Sequence, residues 1–147
     1  MTKITEHFTL EELTFSQTAS RKGINNEPSE AVKRNLVTLA QGLERVRGIL
    51  LAPIHISSGY RSYALNKFIG GSAKSAHMDG YAADFTCPTF GSPEAIVRTL
   101  KRMGIQCDQC ICEGTWVHIS FDPKMRNQFL TATFNNGVAT YSEFKES

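Results

Sequence analysis

The sequence predicts an α+β fold. A single domain spans residues 1–147, with a small antiparallel sheet that bears a cleft on one face and packs helices on the other. Three observations carry that expectation. Val32, Leu36, Leu39, Leu43, Val46 and Leu50 recur at steps of four and three, which draws one apolar stripe along a helix. Short apolar runs are joined by Gly114-Thr115 and Asn136-Gly137, pairs that suit tight hairpins. A chain of 147 residues is also long enough to bury most of its apolar surface in one core.

Taken in order, Thr9-Leu10-Glu11-Glu12 reads as a capping box, so a short helix should run to about Phe15. Ser16 to Asn26 is polar and reads as a loop. Pro28 then opens the long striped helix, whose charged residues Glu30, Lys33, Arg34, Glu44 and Arg45 lie off the stripe, and Pro53 ends it. Ile54–Ser57 is a short strand leading into Gly59. Ser62 caps a short helix that Gly70-Gly71 stops. Tyr81–Thr86 is the next strand. Ser92-Pro93 starts a second helix, with Ile96, Val97, Leu100 and Met103 on its apolar face and Gly104 at its end. Four strands follow: Gln109–Glu113, Trp116–Phe121, Phe129–Phe134 and Val138–Tyr141.

Composition narrows the class. Hydrophobic residues at 41% and charged residues at 20% fit a soluble globular protein. The net charge of +2 comes with no basic run, so no nucleic-acid partner is expected. No apolar stretch approaches the length of a transmembrane segment, and the N-terminus lacks the apolar core of a signal peptide. The expectation is a monomer made in the cytoplasm. Cys107, Cys110 and Cys112 form C-x-x-C-x-C, which suggests either a thiolate metal site or reduced core thiols; Cys87 is the fourth cysteine.

The chemistry concentrates in Ser75-Ala76-His77-Met78-Asp79-Gly80-Tyr81-Ala82-Ala83-Asp84 and in Trp116-Val117-His118. His77, Asp84 and His118 together are a common ligand set for catalytic zinc, one that leaves a fourth position open for water. Gly80 lies between the first two, where the chain can reverse before entering a strand.

Ser75, His77, Gly80, Ala82 and Asp84 match the S-x-H-x-x-G-x-A-x-D signature, with Ser58-Gly59-Tyr60-Arg61-Ser62 upstream and Trp116-Val117-His118 downstream. In these three ordered blocks, over about residues 8–121, the chain resembles the M15-like zinc peptidases. These are the D-alanyl-D-alanine carboxypeptidases and the phage L-alanyl-D-glutamate endopeptidases, which share a fold with Hedgehog domains. The resemblance implies that His77, Asp84 and His118 hold Zn2+. It also implies that Arg61 stabilises the oxyanion or clamps a substrate carboxylate. Ser75, Tyr60 and Trp116 are the candidate substrate contacts, with Ser75 either bonding substrate or orienting the loop.

The general base departs from the pattern. Family members place a carboxylate three residues before the last histidine, or a histidine two before it; here those positions hold Thr115 and Trp116. Alternation supplies another candidate. A two-residue turn at Gly114-Thr115 pairs Ile111 with His118 and Cys112 with Val117, which puts Glu113 on the His118 face. Asp108 is the next carboxylate to consider. The same pairing sends Cys110 and Cys112 to the core face.

The resulting expectation is a zinc peptidase that cuts an amide bond in the peptide stems of bacterial peptidoglycan, as a carboxypeptidase or as a phage endolysin. The alternative is a non-catalytic, zinc-stabilised wall-binding or phage structural domain.

Overall fold

The computed structural model describes residues 2–146. Three short helices and one long one precede or punctuate the first strands: α1 (Leu10–Thr14), α2 (Gln17–Lys22), α3 (Glu30–Leu50), β1 (His55–Ser58) and α4 (Tyr63–Phe68). A 3-10 turn at Ala76–Asp79 leads into β2 (Ala82–Thr86), and α5 (Pro93–Arg102) follows. The chain closes with β3 (Gln109–Cys112), β4 (Val117–Ser120), β5 (Gln128–Asn135) and β6 (Val138–Glu143).

Caps explain most boundaries. The Thr9, Ser62 and Ser92 side chains accept from the third residue on, as the sequence suggests. Ser29, rather than Pro28, caps α3. The stretch expected to be a loop after Ser16 instead forms α2. Ser16 accepts from the Ala19 N–H at one end, and Gly23 adopts a left-handed conformation at the other. Both caps satisfy end groups that a helix of six residues cannot satisfy internally.

The sheet runs β1-β2-β4-β3-β5-β6. It is mixed rather than wholly antiparallel, because β3 and β5 pair in parallel while every other neighbour is antiparallel. The cause is topological. β2 already occupies the outer edge of β4, and the chain leaving β4 crosses to the free edge of β3. Both β3 and β5 then oppose β4 in direction. The β5–β6 hairpin turns at Asn136-Gly137, where both residues have positive φ, the requirement of the tight turn its sequence predicts.

The helices cover one face. Leu36, Leu39, Leu43, Val46 and Leu50 from α3 and Ile96, Val97 and Leu100 from α5 are buried with Phe85, Val117 and Ile119 in one core. Gly42 allows α3 to close on the Phe121 ring, since a Cβ there would lie 2.5 Å from a ring carbon. Truncating a residue such as Leu39 to alanine in this packing is expected to cost about 2–5 kcal/mol. Met103, expected on the apolar face of α5, instead caps the helix and is exposed.

Cys110 pairs with Ile119 and Cys112 with Val117, on the core face as alternation requires. All four cysteines are free and buried. Burial, aided by the Asp108 charge, pushes the Cys107 thiol up to about 12, so it is a protonated core side chain rather than a thiolate ligand. No described helix is long and apolar enough to cross a membrane.

Candidate metal centre

With the helices on one face, β2 and β4 present the other face to a cleft of about 600 Å³. Register does the first part of the assembly. Asp84 on β2 and His118 on β4 are direct cross-strand partners, so their side chains rise from one row of the sheet. The Asp84 Oδ1 lies 3.0 Å from the His118 Nδ1.

His77 arrives from above the strand. Ser75 caps the 3-10 turn, its Oγ accepting from the His77 N–H at 3.2 Å. Gly80 ends the turn at φ +79°, close against Val32, and hands the chain to β2. The His77 ring is buried, and its Nδ1 donates to the Gly59 carbonyl at 2.7 Å. A carbonyl only accepts, so Nδ1 carries the proton and Nε2 offers a lone pair. Gly59 is needed there, because a Cβ would run into the Leu13 carbonyl of α1. Tyr60 N–H donates to that same carbonyl, and Arg61 N–H donates to the His77 carbonyl.

This arrangement tests whether a cation fits. The His77 Nε2 lone pair faces the Asp84 Oδ1 at 3.2 Å. Two acceptors at that distance repel unless a proton or a cation lies between them. A second proton on His77 is disfavoured, because burial lowers its basicity even against the pull of Asp84. One donor atom from each of His77, Asp84 and His118 lies within 4.8 Å of the others, and the two imidazole rings meet edge to face. Nitrogen, nitrogen and carboxylate oxygen donors converging on one point suit zinc. Among the described residues this is the one cluster of three or more metal-capable side chains. Burial works to raise the Asp84 carboxyl, but the hydrogen bond with His118 leads the influences that outweigh it and hold the group well below the usual carboxylate range.

The cleft collects Arg61, Ser75, Glu113 and Trp116 around the three ligand side chains. Burial lowers the basicity of the Arg61 guanidinium, and Asp84 opposes that shift. Its Nε is buried without a partner, leaving a donor unspent. Glu113 follows β3, its N–H donating to the Trp116 carbonyl at 2.9 Å, so the hairpin closes as the turn residues predict. Burial raises the Glu113 carboxyl; Asp84 adds to the rise and His118 opposes it.

Two sequence candidates are placed differently from the expectation. Tyr60 is buried and lines a separate cavity of about 270 Å³ beside Phe15 and Ser57; Arg61 borders both that cavity and the cleft. Asp108 is at the cleft rim but is committed: it accepts from the Arg126 N–H, Nε and Nη2 at 2.8–2.9 Å. Arg126 accordingly holds its carboxyl far below the usual range. Asp122, next to it, is pushed up to about 6 by burial and by Asp108.

Other residues escaped the sequence reading. Asn26 donates to the Thr14 and Tyr60 carbonyls and accepts from the Ser62 N–H, which pins the backbone on both sides of Arg61. A lone asparagine in a polar stretch gives no signal of such a clamp. Tyr141 on β6 lines the cleft, which strand alternation could have suggested had the β3–β5 pairing been known.

The family model for Peptidase M15 matches residues 6–120, most of the chain and all of the ligand cluster. No curated protein matches it.

Proposed function

Because the chain belongs to the peptidase M15 family, we propose that it is a zinc-dependent peptidase that hydrolyses an amide bond in the peptide stems of bacterial peptidoglycan. The reading takes in both a D-Ala-D-Ala carboxypeptidase and a phage endolysin. The observation that carries it is the convergence of His77, Asp84 and His118, with the His77 Nδ1 tied to Gly59 so that Nε2 is left for metal.

Bound there, zinc would supply Lewis acidity that makes water nucleophilic near neutral pH. The remaining chemistry falls to the chain's own side chains. Glu113, half-buried on the cleft, takes the proton from the attacking water and returns one to the leaving amine. Its raised affinity for protons suits that exchange better than an ordinary carboxylate would. Arg61, whose side chain borders the cleft, stabilises the oxygen that gains charge or holds a substrate carboxylate. Ser75 and Trp116 line the path of the peptide.

Metal analysis and a digest of purified peptidoglycan test this together. One zinc per chain is expected, and His77→Ala, Asp84→Ala and His118→Ala should each lose most of it, since each removes one of three ligands. Full occupancy in two of those variants overturns the ligand set. Zinc retention with no wall peptide cleaved would favour the alternative, a non-catalytic wall-binding or phage structural domain; Thr115, at the position where relatives carry a carboxylate, is the feature that favours it.

A further inference from the structure

The cleft-facing side of the sheet is organised in rows. Asp84, His118, Ile111 and Leu130 are successive cross-strand partners from β2 to β5. The adjacent row runs Trp116, Glu113, Ala132 and Tyr141. Glu113 and Trp116 are joined through their backbones, Cys112 pairs with Thr131 one step before Glu113 and Ala132, and Ala132 pairs with Tyr141. Tyr141 thus stands in the same row as Glu113, with one small residue between them. Ala132 is buried, while the Tyr141 side chain is largely exposed and lines the cleft with Leu130.

We infer that Tyr141 is a substrate contact whose phenol donates a hydrogen bond to a carbonyl or carboxylate oxygen of the peptide lying across the cleft. Three considerations support this assignment. In its row Glu113 only accepts and Ala132 is apolar, so the phenol is the donor on the β6 side. Arg61 follows β1, at the opposite edge of the sheet, so a peptide crossing the strands meets a donor at each end. A methyl group at Ala132 leaves the ring free to lean toward Glu113. The β5–β6 hairpin lies outside the residues that match the family model.

The inference rests on the proposed peptidase reading and names one further contact of that same cleft. Tyr141→Phe removes the hydroxyl and keeps the ring. Calorimetric binding of the pentapeptide stem to zinc-loaded Glu113→Gln protein separates recognition from turnover. Adding Tyr141→Phe in that background should weaken binding on the order of fivefold, the share of one net hydrogen bond, with zinc content and Tm unchanged. In the active enzyme the same substitution should raise KM more than it lowers kcat. An unchanged Kd overturns the inference, even if the parent cleaves wall peptides normally. A parent that binds the stem without cutting it defeats the peptidase reading instead, and the Kd comparison still decides on Tyr141. A parent that binds no stem peptide defeats both.

Discussion

β3 has one carboxylate at each end, and the two are opposites. Asp108, just before the strand, is buried and gripped by Arg126 through three hydrogen bonds. Glu113, just after it, has no such grip; burial and the Asp84 charge raise its affinity for protons. Both residues border the same cleft. A carboxylate already paired with a guanidinium gains nothing by taking a proton and is a poor base. One that is desolvated and unpaired binds a proton readily and can pass it on. Position near a site therefore does not nominate a base; the partners do. Asp108 serves instead to anchor the loop from β4 to β5, since Arg126 and Asn127 both tie that loop back to residues 107 and 108.

The comparison breaks most easily on rate. Glu113→Gln preserves size but cannot accept the proton, so turnover of wall peptide should fall by roughly 10²–10⁴ with zinc content intact. Asp108→Asn should leave the rate per folded molecule close to that of the parent. A loss at Asp108 as large as the loss at Glu113 would reverse the assignment of the base.

Stability should show the reverse order. Asp108→Asn leaves the Arg126 guanidinium facing a neutral amide beside a buried position, which is expected to cost about 1–3 kcal/mol, seen as a lowered denaturation midpoint. Because Arg126 is partly exposed, the lower half of that range is expected. A variant as stable as the parent would mean that the loop is held by its backbone contacts alone.

Acid sharpens the same contrast. The Asp108 carboxyl is depressed in the fold, so its contribution is present above its unfolded pKa and is lost as the pH falls toward its folded value. The Tm gap between the parent and Asp108→Asn should be widest near neutrality and should close as the pH drops below about 4, the ordinary aspartate range. A gap that persists unchanged to strongly acid pH would show that the lost contact was not ionic.

How much of this was legible in the sequence depended on whether the information was local. His77, Asp84 and His118 could be read because ligand type, spacing and strand alternation are all written along the chain. Glu113 reached its face through one tight turn, again a local device. The parallel pairing of β3 with β5 was not legible, because it follows from which sheet edges are already taken. Tyr141 was lost with it. Tyr60 stood with Arg61 as a candidate in one motif, whereas in the fold only Arg61 reaches the cleft and Tyr60 lines only the second cavity. α2 was missed because its signals, Ser16 and Gly23, are end caps around a helix with little apolar content. The Asn26 clamp depends on three backbone groups far away in sequence, and nothing in its neighbours announces them.

The smallest expected effect is also the one with the less intuitive sign. Glu113 is raised in the fold, so its ionised form is disfavoured there relative to the unfolded chain. Such a group contributes stability that is present below its unfolded pKa and is lost as the pH rises through the folded value. At neutral pH the charged side chain is therefore a burden that catalysis requires, and removing the charge should relieve it. Glu113→Gln, stripped of metal by chelation so that no cation offsets the charge, should melt slightly above the equally treated parent at pH 7. The advantage should vanish below about pH 4, where Glu113 is protonated in both states. This is the opposite direction from Asp108→Asn under the same conditions. A Glu113→Gln protein that melts below the parent at pH 7 would mean that the carboxylate is satisfied by a partner in the fold. Its role as the free base would then fail along with the contrast between the two ends of β3.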